Sequence, residues 1–378
     1  MRKKIKIAQI IGDASLTGGP RHVLELGRFL KREGFEVLII APPGTIAKAF
    51  AKAKIPYAQV KMRGPFDRES DHVIRKILKE EKVDLVHCHG TRGGWLGRLA
   101  ARKIRGLPIV YTEHLWTKDY HLSNPIWEQF QLQGLRYLDR FTQKTIAVSE
   151  AVQEFLIKSK ITKPQKIVLG YPPVREEFFK IFPYQKPKEI SLLVGSVGSL
   201  NRLKGYRYFV EAAKILKEKH KFTPRNHFHF QIVGIGPEET NLRRLIKRFK
   251  LEEYFQLRPP LEKVFEVMRH FTIYVQPSLS ESFGMATAEA MAMGLPVIVT
   301  QVSGLQEIVT DGKTGLVVPS RNPQALALAI EKLLKDDKLR KQLAVAAKRK
   351  AEKEFVPEKR FREIVKIYEQ LLKEAPKS

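Results

Sequence analysis

The chain has 378 residues, 43% hydrophobic and 29% charged, with one cysteine and a formal net charge of +28. Its length exceeds what one hydrophobic core usually supports and implies two domains, while the composition excludes disordered, fibrous and disulfide-stapled classes. No run of about 18 apolar residues occurs, which excludes a spanning helix, and the Lys and Arg excess favours anionic partners without choosing between phosphorylated metabolites, acidic lipid headgroups and nucleic acid.

The amino terminus "MRKKIKIAQIIG" has a basic start, a short apolar run before Asp13 and no small-residue cleavage site. It therefore reads as a buried first strand rather than a signal peptide. Helical patterns "RHVLELGRFLKREG", "DHVIRKILKEEK" and "WLGRLAARKIRG" alternate with apolar runs "FEVLIIAP" and "VDLVHCHG". That alternation predicts a parallel α/β sheet. Cys88 lies inside one of these runs, and with no disulfide possible within the chain a reducing cytoplasm fits. The strand "LPIVYTEH" follows, then an aromatic and polar stretch to Lys144, then the strand and helix of "TIAVSEAVQEFLIKS". In that stretch Trp116, Tyr120, Trp127, Phe130, Tyr137 and Phe141 are interleaved with basic residues. The pattern suits either a helix at an anionic membrane surface or an amphipathic core helix.

Between Tyr171 and Glu189, Pro172, Pro173, Pro183 and Pro187 interrupt the periodic text, which places a linker at 175–187 between domains 1–174 and 188–356. The second half repeats the architecture without repeating the sequence: "SLLVGSVGSL", "YRYFVEAAKILKEK", "FHFQIVGIG", "ETNLRRLIKRF", "TIYVQPS", "MATAEAMAMG", "PVIVT" and "TGLVVP". In the Lys-rich run "LLKDDKLRKQLAVAAKRKAEKE" the charge reads equally well as solvated helix faces. A last helix, 357–373, carries Phe361, Ile364, Val365, Tyr368, Leu371 and Leu372 at helical spacing and should pack one face.

The most informative segment is "PSLSESFGMATAEAMAMGLPVIVT", where a strand ends at Pro277, a loop holds Glu281 and a helix starts near Gly284. Unsatisfied amides and the helix dipole favour an anion at Gly284 and Met285. Carboxylates beside a diphosphate serve best as acceptors for sugar and ribose hydroxyls, the use given to Glu281 and Glu289. Read alone, Glu281 is equally a cap or first-turn residue and Glu289 a solvated helix position.

These residues resemble the signature of the retaining glycosyltransferases of family 4 (group 1), which act in bacterial envelope polysaccharide and lipopolysaccharide synthesis. The resemblance covers nearly the whole chain and implies the GT-B fold, an α/β architecture of two Rossmann-like domains with parallel sheets facing across a cleft. It also implies that the first domain serves the acceptor, that the second binds the nucleotide sugar, and that helix 357–373 crosses back onto the first. By the same resemblance Glu281 contacts the transferred sugar, the amides of Phe283, Gly284 and Met285 hold the phosphates, and Glu289 binds the ribose. "GSLNRLKG" is similar to the family's phosphate-binding loop, which makes Lys204 the diphosphate cation; Ser199 stands where an arginine is usual, and Arg202 is offered instead. Read bare, Lys204 is an ordinary surface lysine.

"TGGPRHVLEL" resembles the family's glycine-rich loop, in which Gly18 and Gly19 let the backbone approach the donor phosphates; taken alone the pair is a turn before a helix. His114, ending "IVYTEH", matches a histidine close to the transferred sugar, and His87 and His89 rank below it as strand-end histidines satisfied locally. The base pocket falls near Pro260 and Leu261 by family position. No residues have metal-ligand spacing, so neither metal nor cofactor is expected beyond a UDP-, GDP- or ADP-sugar as co-substrate. The acceptor implied is a saccharide or lipid-linked molecule, with the chain cytoplasmic or peripheral on the inner face of the cytoplasmic membrane. Rival readings are a nucleotide-sugar epimerase or phosphorylase-like enzyme on the same plan and, in another class, a basic nucleic-acid-binding protein; no nucleic-acid signature is found.

Overall fold

The computed structural model describes residues 4–15, 18–181, 192–221, 228–261 and 263–375. Two compact units share the chain, one formed by residues 1–173 and 358–378, the other by Val174–Pro357.

In the first unit the described strands are β1 (Lys6–Ile11), β2 (Glu36–Ala41), β3 (Tyr57–Gln59), β4 (Leu85–His89), β5 (Ile109–Glu113), β6 (Lys144–Ala147) and β7 (Ile167–Leu169). They form a single sheet in the order β3-β2-β1-β4-β5-β6-β7, and the pairs are parallel. The second unit has β8 (Leu193–Val197), β9 (His229–Val233), β10 (Phe255–Arg258), β11 (Ile273–Gln276), β12 (Val297–Thr300) and β13 (Leu316–Val318). Their order is β10-β9-β8-β11-β12-β13, again parallel. Near-continuous apolar strands such as "VIVT" are what a sheet covered on both faces requires. In each unit the winding direction reverses beside the first strand, between β1 and β4 and between β8 and β11. That is where an open α/β sheet leaves a crevice at its carboxyl edge.

The helix expected near Gly284 runs Met285–Ala292 with Gly284 as its left-handed cap. Gly18 and Gly19 lie within the first turn of helix Gly18–Arg32 rather than in a loop before it. A side chain at Gly18 would meet nothing within 4 Å, and one at Gly19 only Ile11 Cδ1 at 3.6 Å, so no close backbone approach inside this unit demands glycine there. Of the expected linker, Val174–Ile181 pack with the second unit, where Phe178 is buried edge-on to Phe265 at 5.8 Å; 182–187 lie outside the described residues.

Helix Pro357–Glu374 buries Phe361, Ile364, Val365, Tyr368 and Leu371 in the core of the first unit, alongside Val23, Phe29 and Ile39. The aromatic stretch contains helix Pro125–Asp139, whose Asn124 side chain accepts from the amides of Ile126 and Trp127 and whose proline fills the first turn. No helix among the described residues is long and apolar enough to cross a membrane.

Candidate functional site

In the second unit the site is built by the loops leaving β8 and β11, the two strands that flank the reversal of winding. After β8 the chain makes a single 3₁₀ turn, Arg202–Lys204, capped by the Asn201 side chain, which accepts from the Lys204 amide at 3.2 Å. Gly205 ends that turn at φ +62°, and a side chain there would collide with the carbonyl of Pro277, so this position needs glycine twice over. The close approach allows Leu279 N to donate to Leu203 O at 2.7 Å, which ties the lysine loop to the glutamate loop. On its other side the first loop is braced by Leu200 N to Ile235 O and Glu238 N to Leu200 O, both 2.9 Å.

This scaffold brings Lys204 Nζ into an ion pair with Glu281 Oε1, joining residues 77 apart in the chain. Glu281 is further held by Ser278 Oγ at 3.0 Å, behind which Gln276 Nε2 donates to Ser278 Oγ at 2.8 Å and Tyr274 OH to Gln276 Oε1 at 2.6 Å. Burial, with Tyr206, Glu281 and Glu289 nearby, pushes the Tyr274 phenol well above its ordinary value, so it stays a neutral donor at the root of this chain. None of Ser278, Gln276 and Tyr274 was singled out by sequence reasoning; their alternation along "IYVQPS" is the only signal they leave.

Gly284 has φ +98°, and a side chain there would sit 2.5 Å from Leu305 Cδ2. This turn starts helix Met285–Ala292 so that Thr287 and Ala288 bond to Gly284 O while the amides of Met285 and Ala286 make no hydrogen bond among the described residues. Free amides at a helix start favour a bound anion. Gly304 N donates to Glu281 O at 3.1 Å and fixes that loop from the far side. Phe283 is buried edge-on to Phe355 at 5.4 Å, so a ligand meets its backbone rather than its ring. Glu289 is half-buried on the same helix. Arg202 is not drawn in: its side chain is 87% exposed and lies 3.4 Å from Glu238. Leu261 is 50% exposed after β10.

In the first unit the carboxyl edge carries four histidines. His87 lies in the middle of β4 and His89 ends it, both fully buried, His114 follows β5, and His22 comes from helix Gly18–Arg32. The rings of His22 and His114 have centroids 5.7 Å apart, as do those of His89 and His114. Glu113, buried beneath, accepts from Tyr111 OH at 2.5 Å and Leu115 N at 2.8 Å and so fixes the turn bearing His114. Enclosure pushes His114 down to about 3 and His22 to about 4, and His87 and His89 fall well below the usual range; burial is the main cause throughout, with neighbouring rings adding to it at His87, His89 and His114. All four are neutral at pH 7. Gly18, Gly19 and His114 thus belong to this unit, and Lys204, Glu281, Gly284, Met285 and Glu289 to the other.

Residues 175–350 match the family model described as glycosyl transferases group 1, and 16–178 that of glycosyltransferase family 4. The chain is 30% identical over 299 residues to an uncharacterised glycosyltransferase of Methanocaldococcus jannaschii, covering 79% of this chain and 78% of that protein. To the capsular polysaccharide biosynthesis glycosyltransferase CapM of Staphylococcus aureus it is 25% identical over 370 residues, 92% of this chain and 93% of that one. Among solved structures, Anabaena HepE in complex with UDP and glucose superposes with a TM-score of 0.82 at 19% identity, over 97% of this chain and 100% of that chain. The chain belongs to the group 1 glycosyltransferases of family 4 and has their GT-B fold.

Proposed function

We propose that the chain transfers a hexosyl or related unit, with retention of configuration, from a UDP-, GDP- or ADP-sugar to a saccharide or lipid-linked acceptor in cell-envelope glycan synthesis. The observation that carries this reading is the Lys204–Glu281 pair beside the two unbonded amides of Met285 and Ala286, at the carboxyl edge where the second sheet reverses its winding. Relatives support it: CapM is named for capsular polysaccharide biosynthesis, and HepE was solved with UDP and glucose.

In this reading Lys204 and the amides at the helix start hold the diphosphate, and Gly18 and Gly19 are also assigned to its binding. Glu281 accepts from the transferred sugar, Glu289 from the ribose, and His114 is assigned to the transferred sugar. The bond from C1 to the diphosphate oxygen breaks as the acceptor oxygen bonds C1 on the same face, and the acceptor proton passes to the departing diphosphate. The chain's contribution is electrostatic. Charge grows on the diphosphate as the bond breaks, and a preorganised lysine and amides stabilise that charge more than they stabilise the bound donor. The cation that meets the diphosphate is the side chain of Lys204, with no metal called upon.

We further propose that the enzyme works at the inner face of the cytoplasmic membrane. Phe66 and Trp127 meet on Phe130, with centroids 5.4 and 4.8 Å away, and Phe66, Ile126 and Trp127 are 72, 82 and 41% exposed on a chain of charge +28. An apolar patch on a strongly basic protein suits anionic lipid.

The decisive experiment incubates the enzyme with a panel of nucleotide sugars, with and without acceptor, and identifies the anomer released or transferred. Transfer with the donor's own configuration is expected. An inverted product would overturn retention, and acceptor-independent interconversion of donors would show an epimerase.

A further inference from the structure

We propose that Gln9 and Tyr368 are positioning residues that hold His114 in a single tautomer, its proton on Nε2 and its Nδ1 left bare as an acceptor, through a single-file chain of hydrogen bonds. The proposal rests on the assignment of His114 to the reaction, though the chain itself is read from geometry alone.

Five hydrogen bonds connect six side chains in series. His114 Nε2 lies 3.5 Å from His89 Nδ1, the longest link; His89 Nε2 lies 2.6 Å from Gln9 Oε1; Gln9 Nε2 lies 3.1 Å from Tyr368 OH. Tyr368 OH is 2.5 Å from His87 Nδ1, and His87 Nε2 is 2.6 Å from Thr112 Oγ1. A ring nitrogen can donate or accept, and so can a hydroxyl, but the two ends of an amide are chemically distinct, so Gln9 gives the series its direction. Its NH₂ donates to Tyr368, which turns the phenol proton towards His87 Nδ1. His87 must then carry its own proton on Nε2 and donate to Thr112. In the other direction the Gln9 carbonyl accepts from His89 Nε2, which leaves His89 Nδ1 bare, and His114 donates to it from Nε2.

A neutral imidazole carries one ring proton, so the nitrogen that faces a donor is bare and the other nitrogen donates. His87 and His89 are fully buried with centroids 4.0 Å apart, a spacing that two cations would not tolerate, and burial disfavours even one. His22 stands edge-on to both His89 and His114, and its Nε2 is buried without a partner, so it encloses the series without joining it. Tyr368 comes from the last helix, 254 residues beyond His114 in the numbering (368 less 114), and is fully buried. The helix thereby contributes to the chemistry of its unit as well as to its core. With Nδ1 bare, His114 accepts a hydrogen bond from a ligand hydroxyl and is no acid at neutral pH.

The test uses the full chain labelled with ¹⁵N-histidine and long-range ¹H–¹⁵N correlation at pH 7. Neutral His87, His89 and His114, each protonated on Nε2, are expected. Tyr368→Phe keeps the ring packing and removes the hydroxyl; it should mix the tautomers of His87 and His114 and lower kcat about tenfold, the scale on which a lost partner of a functional histidine acts, with KM little changed. A wild-type His114 protonated on Nδ1, or doubly protonated at pH 7, would overturn the proposal. So would a Tyr368→Phe enzyme with unaltered tautomers and wild-type kcat. The spectrum requires no donor, so the expected tautomers in a protein that transfers from no nucleotide sugar would sink the transferase reading and leave the series standing.

Discussion

Glu281 was legible in the sequence through its spacing to Glu289, but its partner was not. Lys204 reaches it only because Gly205 passes close to Pro277 and lets two loops lie side by side. The two charges satisfy each other, Lys204 being 23% and Glu281 10% exposed, so under the proposed function a diphosphate draws the lysine away and leaves the carboxylate free for a hydroxyl. We expect Lys204→Ala and Glu281→Ala each to lower transfer roughly 100-fold to 1000-fold, the cost of a lost transition-state contact, with melting temperatures near wild type. Wild-type turnover in either variant would remove that residue from the site. Gly284→Ala forces a methyl into Leu305 at a backbone angle of φ +98°, and we expect about 1–3 kcal/mol of lost stability by urea denaturation together with weaker UDP binding. A fully stable variant that still binds UDP would show that neither the angle nor the contact matters.

At the level of elements, the stretch from Leu115 to Lys144 separates the two readings left open by its composition. Trp116 is 1% exposed and stacks on Phe155 at 5.9 Å, so it is core, and the half-buried Tyr120 packs edge-on to it at 5.2 Å. Ile126 and Trp127 face solvent, and Phe66, from a loop 60 residues earlier by numbering (126 less 66), joins them. Aromatic content could not sort one set from the other, because the sorting depends on which face meets the sheet. Wild-type protein should co-sediment with vesicles rich in phosphatidylglycerol at low salt and less at high salt, and Phe66→Ser with Trp127→Ser should weaken the association. Equal sedimentation with neutral and anionic vesicles, or none at low salt, would end the membrane proposal.

The histidine-lined edge is a second such element. Its four rings have folded-state pKa values below the ordinary 6.5, reaching about 4 for His22 and about 3 for His114. Below pH 6.5 the unfolded chain therefore binds protons that the folded chain refuses, so the stability from these groups is complete above that pH and is lost as pH falls towards 4 and 3. Melting temperature should drop between pH 7.5 and 5, before most carboxylates titrate. A flat profile across that window would mean the rings are not held neutral.

On the scale of the whole molecule, the last helix settles which residues form the first unit. Ending the chain at Val356 would strip Phe361, Ile364, Val365, Tyr368 and Leu371 from its core. Each buried side chain of this size stabilises by about 1.5–3 kcal/mol, so the loss is comparable to the entire stability of an ordinary domain, about 5–15 kcal/mol. We expect the truncated protein to lose protease resistance in residues 4–173 while residues 174–356 stay protected. Equal resistance in both would show the helix to be an accessory.

The sequence by itself determined the α/β class, the two-unit plan and the identity of the "SESFGMATAEAMAMG" signature, because strand runs, helical periods and turn residues are local properties that neighbouring positions report. Short strands such as β3, β7 and β10 stayed invisible, since three or four residues are too few to establish a period. Tertiary structure alone decided that Lys204 meets Glu281, that Arg202 stays in solvent, that Gly18 and Gly19 belong to a helix, and that Gln9 and Tyr368 stand behind His114. Those pairings join residues from 25 to 359 positions apart, and only the order in which parallel strands assemble sets which carboxyl ends become neighbours.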